Sequence, residues 1–214
     1  MQIVDEEALP TEWMEGMICP TYKKGDRMIC SNCRPITLLN VVYKIFSILT
    51  NNRLTKIVES KFEDIQMGFR PNRSTINNII IVRQTIEKCH EFNTEFHNIF
   101  IDYTHTFDSV FIDKITECLH KYEIPSKLIK LTARPLQDTK ARVKVNQNYK
   151  EKFEITTGVK QDDPLSATLF SIVFDDILKH LELRGNISTR LKQCSSYADD
   201  ILITARNEQT TIDT

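Results

Sequence analysis

Two adjacent aspartates, Asp199 and Asp200, stand between two stretches that favour β-structure. Residues 201–204 are apolar or β-branched and predict a strand, and residues 191–196 predict a weaker one. The pair therefore lies at the tip of a predicted hairpin. Neighbouring carboxylates repel each other, and desolvating them is costly unless a cation neutralises them. Considered alone, the pair is explained equally well by an ordinary solvated turn, because Asp is common in turns.

A third carboxylate, Asp102, lies near the end of the apolar stretch 96–103 (FHNIFIDY), which predicts another strand. Mg²⁺ binds oxygen ligands, typically one or two carboxylates with waters and substrate phosphates. A carboxylate at a strand end and a pair at a hairpin tip can share two metal ions. Two such ions stabilise both the attacking and the leaving oxygen of a phosphoryl transfer. The pattern predicts this chemistry if the three carboxylates meet in space.

Four ordered segments resemble the reverse transcriptases of non-LTR (LINE-type) retrotransposons. Residues 100–110 (FIDYTHTFDSV), 158–166 (GVKQDDPLS) and 197–200 (YADD) are similar to motifs A, B and C of that family. Residues 68–74 (GFRPNRS) resemble a fourth segment, G-F-R-x-x-R-S-T. The resemblance extends from about Trp13 to Ala205. It implies an α+β fold of the right-hand polymerase type, with fingers and an antiparallel palm sheet backed by helices.

The resemblance also implies the activity, an RNA-directed DNA polymerase that adds deoxynucleotides to a primer 3′-hydroxyl. Its partners would be an RNA template, a DNA primer and deoxynucleoside triphosphates. Asp102, Asp199 and Asp200 would be the catalytic residues and would hold two Mg²⁺ ions, with Mn²⁺ as an alternative. The residues implied in nucleotide binding are Lys24, Arg34, Phe107 and Gln161, and those implied near the template are Arg70 and Arg73.

Three positions need separate interpretation. Asp162 stands where motif B of the family has Gly, which lets the backbone approach a nucleotide and adopt unusual dihedral angles. We therefore expect Asp162 to impair nucleotide binding. Thr106 replaces an Ala of the family, a departure that a site could tolerate. Phe107 is implied to block a 2′-hydroxyl, with a core Phe as the alternative, and Asp108 is expected to orient its neighbours rather than bind metal.

The resemblance suggests partial fingers with an N-terminal extension over residues 1–95 and a palm over residues 96–214. It further suggests a partial element copy that ends after motif C, without thumb or endonuclease domain. Two other functions use the same residues: a decayed, inactive remnant of the fold, and a metal-dependent phosphohydrolase. Primer extension on an RNA template separates these three possibilities.

Local patterns predict the main elements. Short helical structure is expected after Pro10 with Thr11 as N-cap, and a basic hairpin over 17–22 and 34–39. Further helices are expected over 113–122 and 126–139, the second ending or kinking near Ala133 because of Pro135, and a hairpin over 141–145 and 153–156. A helix begins at Pro164. Two further helices are predicted, one over 40–60 with Asn40 available as N-cap, and one capped by Ser74 after a loop over 66–74. Both carry apolar residues at helical spacing that predict buried sides: Val41, Val42, Ile45, Phe46, Leu49, Leu54 and Ile57 in the first, Ile76, Ile79, Ile80, Ile86 and Cys89 in the second.

Composition bounds the class of protein. The 214 residues are 41% hydrophobic and 27% charged, as in ordinary globular proteins, and no secretory signal or apolar run long enough for a membrane span is evident. The sequence therefore predicts an intracellular protein without membrane attachment, and it does not predict an oligomeric state. The net charge is −1, but Lys and Arg concentrate in residues 20–73 and 121–160. The six cysteines are interpreted as reduced thiols, and the single C-x-x-C at Cys30 and Cys33 is weak evidence for zinc.

Overall fold

The structure, a computed structural model, describes residues 9–104, 106–137, 139–181, 183 and 187–205. The chain divides into two compact units, each made of two separate stretches. Unit 1 consists of Met1–Val58 and Phe107–Val173, and unit 2 of Glu59–Thr106 and Phe174–Thr214. The predicted fingers (1–95) and palm (96–214) are two continuous ranges, whereas each of these units is discontinuous in the sequence. The boundary between fingers and palm therefore stays a prediction. His105, within the predicted motif A, lies outside the described residues.

The described helices and strands alternate irregularly along the chain. The helices are α1 (Val41–Val58), α2 (Thr75–Glu91), α3 (Thr106–Ser109), α4 (Ile112–Lys121), α5 (Ser126–Ala133), α6 (Pro164–Leu178) and α7 (Ile187–Gln193). The strands are β1 (Glu15–Tyr22), β2 (Cys33–Leu38), β3 (His97–Asp102), β4 (Lys140–Val145), β5 (Asn148–Tyr149), β6 (Phe153–Glu154), β7 (Cys194–Tyr197) and β8 (Asp200–Ala205). Short 3₁₀ turns occupy Thr11–Met14, Cys30–Asn32, Glu59–Lys61 and Arg134–Leu136.

Unit 1 contains a mixed sheet in the order β2-β1-β4-β5, with β6 paired to β4. Both predicted hairpins are confirmed: β1 pairs antiparallel with β2, and β4 pairs antiparallel with β6 and, across a tighter turn, with β5. The sheet is completed by a parallel pairing of β1 with β4, which joins segments more than a hundred residues apart. Local sequence carries no signal for such a pairing, since it depends on the path of the whole chain.

The N-terminus of unit 1 differs in one detail from its prediction. Pro10, not Thr11, caps the first 3₁₀ turn, and the amide of Trp13 donates to the Pro10 carbonyl at 3.0 Å. Trp13 is buried against the ring of Tyr43, with the two centroids 6.1 Å apart. The small aromatic cluster around Trp13 therefore fixes the start of the described chain.

Helix α1 has the predicted length but buries a different side. Asn40 caps it as expected, accepting a hydrogen bond from the amide of Val42 at 2.8 Å. The predicted apolar stripe was wrong in most of its positions: Val41, Val42, Ile45 and Leu49 are exposed. The buried side carries Tyr43, Ser47, Thr50, Leu54 and Val58, of which only Leu54 belongs to the predicted stripe. Polar contacts determine which side is buried. The hydroxyls of Tyr43 and Ser47 both donate to the buried carboxylate of Asp163 and so fix the rotation of the helix about its axis.

Helix α5 ends at Ala133, as predicted from Pro135, and continues as the 3₁₀ turn Arg134–Leu136. Proline lacks the amide that an α-helix needs at this point, and its ring clashes with the preceding turn. Pro164 begins α6 at the position where a missing amide carries no penalty. These two boundaries show that proline signals were reliable in this chain.

Unit 2 is built around an antiparallel sheet in the order β3-β8-β7. Strands β3 and β8 match the predicted strands 96–103 and 201–204. The weak strand predicted over 191–196 was wrong at its start, because residues 187–193 form helix α7 and only Cys194–Tyr197 join the sheet. Arg, Leu, Lys and Gln in this stretch are good helix formers, and Arg190 of α7 forms an ion pair with Glu63 at 2.9 Å.

Helix α2 begins after Ser74, whose amide donates to the side chain of Asn77 at 2.8 Å. The buried apolar side predicted for this helix was wrong, since none of its residues is buried and Ile76, Ile79, Ile80 and Ile86 are all exposed. Ile79 and Ile86 line an open apolar cavity of about 780 Å³ together with Phe100 and Leu202 of the sheet. Among the described residues, no helix is both long and apolar enough to cross a membrane.

Candidate active site

The sheet of unit 2 brings together acidic residues that are nearly a hundred positions apart in the chain. Asp102, the last residue of β3, is the register partner of Asp200, the first residue of β8. Asp199 precedes Asp200 in the turn that joins β7 to β8. Because strand partners lie about 4.5–5.5 Å apart between Cα atoms, the backbone positions of the three predicted catalytic carboxylates are adjacent.

The turn that carries Asp199 is tight. Tyr197 and Asp200 are paired across it, so Ala198 and Asp199 are its two central residues. Ala198 has φ of +56°, whereas Asp199 has a negative φ. Positive φ at the first central position alone is typical of a type II′ turn, in which glycine is favoured at that position. An alanine there is strained by roughly 1–2 kcal/mol relative to a residue in the right-handed region.

The three carboxylates interact electrostatically. The pKa of Asp200 is raised from its ordinary value, first by burial and then by the negative charges of Asp199 and Asp102. One oxygen of Asp199 (Oδ2) accepts a hydrogen bond of 3.0 Å from the hydroxyl of Thr106. Among the described residues, no three His, Cys, Asp or Glu side chains are grouped closely enough to hold a metal ion as they stand. The donor set itself fits a hard divalent cation, which would relieve the repulsion that raises the pKa of Asp200.

A short extended segment supports the β7–β8 hairpin from outside the sheet. Gln66 forms a parallel bridge with Ser196 of β7, and the amide of Met67 donates to the Ser196 carbonyl at 2.9 Å. Sequence reasoning placed residues 66–74 in a loop near the template and missed this pairing. The only local signal was Gly68, since a Cβ at that position would lie 2.1 Å from the backbone nitrogen of Ala198.

In unit 1, the end of motif A is joined to the loop of motif B. The amide of Val159 donates to the Phe107 carbonyl at 2.8 Å. The side-chain amide of Gln161 donates to the Asp108 carboxylate at 3.1 Å, and the Gln161 carbonyl accepts from the amide of Thr37 at 3.2 Å. Asp108 therefore orients Gln161, as expected for a residue with a local role. The Phe107 ring packs 5.0 Å from the ring of Phe170, centroid to centroid.

Asp162 adopts a backbone conformation that suits the glycine it replaces. Its φ is +76°, and the amide of Asp163 closes a turn on the Lys160 carbonyl at 3.3 Å. Positive φ at the third residue of such a turn is typical of type II, which favours Gly or Asn there. The backbone at Asp162 thus has a conformation that favours glycine, the residue that the family resemblance implies at this position.

Asp163, the next residue, is a structural anchor. Its carboxylate is buried and accepts hydrogen bonds from the Tyr43 hydroxyl at 2.6 Å, from the Ser47 hydroxyl and from the amide of Leu165 at 3.1 Å. The Lys160 ammonium lies 4.8 Å from the centre of the Tyr43 ring. Burial lowers the pKa of Lys160 to about 8, against the opposing effect of the Asp163 charge. These contacts attach the start of α6 to α1, and sequence reasoning had no signal for them.

The remaining predicted site residues occupy two kinds of surroundings. Lys24 and Arg34 are exposed, Lys24 in the connection between β1 and β2 and Arg34 on β2. Arg70 is buried, and its guanidinium binds the Glu59 carboxylate at 2.9 Å and the Glu63 carbonyl at 2.7 Å. Arg73 is partly exposed and forms an ion pair with Asp64 at 2.7 Å. Their roles toward nucleotide and template stay predictions.

Comparison with known proteins identifies the family. A family model described as reverse transcriptase (RNA-dependent DNA polymerase) matches residues 22–214. The chain is 27% identical over 205 residues to the Pol polyprotein of a type-1 R2 retrotransposable element from Popillia japonica, covering 94% of this chain and 29% of the relative. It is 26% identical over 204 residues to a probable RNA-directed DNA polymerase of transposon BS from Drosophila melanogaster, covering 94% and 22%. The chain thus spans less than a third of the length of either relative.

The fold is also found among solved structures. A telomerase from Candida tropicalis, solved with a fragment of telomeric RNA, superposes with a TM-score of 0.66 at 13% sequence identity, covering 94% of this chain and 37% of that one. At this identity the likeness concerns the fold alone, and it agrees with the α+β polymerase fingers and palm predicted from the sequence. The chain belongs to the reverse transcriptase (RNA-dependent DNA polymerase) family, and its curated relatives are the reverse transcriptases of non-LTR retrotransposons.

Proposed function

We propose that this chain catalyses RNA-directed DNA synthesis, with Asp102, Asp199 and Asp200 holding two Mg²⁺ ions. The observation that carries the proposal is the register of the unit 2 sheet, in which Asp102 lies opposite Asp200 at the base of the turn containing Asp199. Membership of the family supports the reaction class. The partners under this proposal are an RNA template, a DNA primer and deoxynucleoside triphosphates.

The chain's own residues would contribute position and charge. When bound, divalent ions supply an activated primer 3′-hydroxyl and charge neutralisation at the leaving pyrophosphate. Asp102 and Asp200 offer oxygen ligands from two paired strands, so their spacing is set by the sheet rather than by flexible loops. Thr106 holds one oxygen of Asp199 and leaves the other for a ligand. Catalysis of this kind depends mostly on such prior placement of charge.

The residues proposed to bind the nucleotide are those that the family resemblance implies. Gln161 is held at both its side chain and its carbonyl, so it can present a fixed donor to a base or sugar. Phe107 has the ring that the family implies for excluding a 2′-hydroxyl, and it is supported by Phe170. Arg34 and Lys24 are exposed cations on the basic hairpin and would bind the triphosphate.

For the template, the proposal favours Arg73 over Arg70. The Arg70 guanidinium already makes hydrogen bonds within its own segment and is shielded from solvent. Arg73 is more exposed, and it forms an ion pair with the Asp64 carboxylate that phosphate can replace. Arg70 would then act by holding the segment that presents Arg73.

Primer extension tests this function. The full chain is incubated with a DNA primer annealed to an RNA template, deoxynucleoside triphosphates and Mg²⁺, and extension products are resolved by length. We expect template-directed incorporation by the wild type and its loss in Asp199→Asn, which removes a charge from the metal site. Asp113→Asn, a change of an exposed aspartate in the first turn of α4, serves as the matched control and should extend the primer normally.

Three results would contradict the proposal. Wild-type protein that is folded by circular dichroism but adds no nucleotide would favour an inactive remnant. Hydrolysis of nucleotides without extension would favour a phosphohydrolase. Extension by Asp199→Asn at the wild-type rate would remove Asp199 from the site, whatever the fold.

A further inference from the structure

The turn that carries Asp199 needs support, because Ala198 holds a φ of +56° that an alanine does not favour. Two β-turn types can have the same flanking strands and differ by a flip of the peptide plane between the two central residues. In this turn that plane joins the Ala198 carbonyl to the amide of Asp199. The orientation of this plane therefore determines where the Asp199 side chain points. Whatever binds the Ala198 carbonyl selects one orientation of the plane.

Gln66 makes that contact. Its side-chain amide nitrogen donates to the Ala198 carbonyl at 3.4 Å. Its side-chain oxygen accepts from the amide of Gly68 at 2.9 Å and lies 3.3 Å from the Ser196 hydroxyl. Gln66 has no exposed surface, so both ends of its amide are bonded within the protein. A buried amide held at both ends has one orientation.

The backbone around Gln66 is fixed to the same strand. The amide of Met67 donates to the Ser196 carbonyl at 2.9 Å, and the amide of Ser196 donates to the Ile65 carbonyl at 2.9 Å. The side-chain amide of Asn78, on α2, makes a third hydrogen bond to this strand, donating to the Ser196 carbonyl at 3.2 Å. Strand β7 therefore cannot shift along this segment without breaking several buried hydrogen bonds.

Gly68 brings the segment against the turn itself. A Cβ at position 68 would lie 2.1 Å from the Ala198 nitrogen and 2.8 Å from its Cα, far inside contact distance. Backbone therefore packs on backbone at this point, and only glycine fits. The Gly68 contact restricts displacement of the turn, while the Gln66 hydrogen bond restricts rotation of its central peptide.

We propose that Gln66 and Gly68 are positioning residues for catalysis, which hold the Ala198–Asp199 peptide in the orientation that presents the Asp199 carboxylate to metal. They touch neither substrate nor metal and act through the turn. The inference rests on the proposed function for its effect on nucleotide addition. It also makes a claim about the turn that is independent of activity.

Two variants of the full chain test it. Gln66→Met keeps the approximate volume of the side chain and removes the bond to the Ala198 carbonyl. Gly68→Ala introduces the clashing Cβ. Leu178→Ala is the matched control, because Leu178 is a fully buried residue of unit 2 that lies outside residues 65–68 and 195–202 in the sequence, and its truncation destabilises the unit. Circular dichroism and thermal melts establish that each variant is folded at the assay temperature.

The first measurement is hydrogen–deuterium exchange of peptides covering residues 195–202. We expect faster exchange in this region for Gln66→Met and Gly68→Ala than for wild type, and wild-type exchange there for Leu178→Ala. The second measurement is primer extension, in which kcat should fall by about 10- to 100-fold in both variants, the scale expected of a misplaced catalytic group. The KM for deoxynucleotide should stay near the wild-type value, and Leu178→Ala should keep its kcat.

The outcomes separate the two proposals. A wild-type chain that does not extend the primer refutes the proposed function, while exchange still decides whether Gln66 and Gly68 hold the turn. Wild-type exchange at residues 195–202 in folded Gln66→Met overturns the inference whatever the polymerase assay gives. An active wild type with equal kcat in Gln66→Met also overturns it. A loss of kcat of the same size in Leu178→Ala would mean that the effect is general destabilisation, and the positioning role would be rejected.

Discussion

Replacing Asp162 by Gly should stabilise the protein, although it shortens a side chain and gives a more flexible residue. Asp162 lies at the position of a type II turn that requires positive φ, and its φ is +76°. The turn is closed by the bond from the Asp163 amide to the Lys160 carbonyl at 3.3 Å, and Asp163 is itself anchored in the core. The turn therefore has little freedom to relax into a conformation that aspartate prefers.

The magnitude follows from two opposing terms. A left-handed conformation costs a non-glycine residue roughly 1–2 kcal/mol, toward the lower end for Asp, and glycine avoids that cost. Glycine loses about 0.5–1 kcal/mol more than other residues on folding, because the unfolded chain is freer. The difference favours Asp162→Gly by about 0.5 kcal/mol. For a chain of this length that corresponds to a rise in melting temperature of about 1–2 °C.

Denaturant unfolding of a small series measures this. Asp162→Ala keeps the strain and loses the local hydrogen-bonding ability of aspartate, so it should be less stable than wild type. Asp162→Asn tolerates positive φ and removes only the charge, so it should be near wild type or slightly above. We expect the order Gly, Asn, Asp, Ala. Equal stability of the Gly and Ala variants would refute the turn argument.

The same variants distinguish two ways in which Asp162 could weaken nucleotide binding, through its negative charge or through obstruction by its side chain. If the negative charge beside the triphosphate weakens binding, both Asp162→Gly and Asp162→Asn should lower the KM for deoxynucleotide. If the side chain obstructs the backbone approach, only Asp162→Gly should do so. An unchanged or raised KM in Asp162→Gly would contradict the expectation that Asp162 impairs the site.

Two further changes are predicted. Lys160→Met should raise the free energy of unfolding at pH 7, by about 3 kcal/mol at most, because burial lowers the pKa of Lys160 from 10.5 to about 8 and so disfavours its charged form. Between pH 8 and 10.5 the unfolded lysine still binds a proton that the folded one has lost, so the free energy of unfolding of the wild type rises with pH. The difference between Lys160→Met and wild type in denaturant melts should therefore shrink over this range, and a constant difference would contradict the burial argument. Thr106→Val should lower the free energy of unfolding by about 1–2 kcal/mol because it removes the hydroxyl that donates to Asp199 at 3.0 Å. Thr106→Ser should retain most of the wild-type value, and equal losses in the two variants would argue against the hydrogen bond.

Much of the local structure was predictable, because its causes lie close together in the sequence. Pro135 ended α5 where its ring and missing amide require, and Asn40 capped α1. The proximity of Asp102 and Asp200 was predicted from strand signals together with the family resemblance, and the register of β3 with β8 pairs these two residues.

The failures have a common physical cause. The periodicity of α1 shows that one side of the helix is apolar, but it does not show which side packs against the rest of the protein. The packed side is determined by hydrogen bonds from Tyr43 and Ser47 to Asp163, more than a hundred residues away. The pairing of Gln66 with Ser196 spans a similar distance and lies in a segment without strand-like alternation. Buried polar contacts of this kind are specific in three dimensions and leave no periodic trace in one chain.

Ala198 and Asp162 illustrate how the fold keeps strained turns beside its candidate functional residues. Each occupies a position of positive φ that suits glycine, and each adjoins a residue with a predicted role, Asp199 in one case and Gln161 in the other. In both cases the strain is opposed by a neighbouring anchor rather than relieved within the turn: Gln66 binds the Ala198 carbonyl, and Asp163 is tied to α1. Strained conformations persist only where the surroundings over-determine them. The anchors therefore explain how a residue other than glycine is accommodated at each turn.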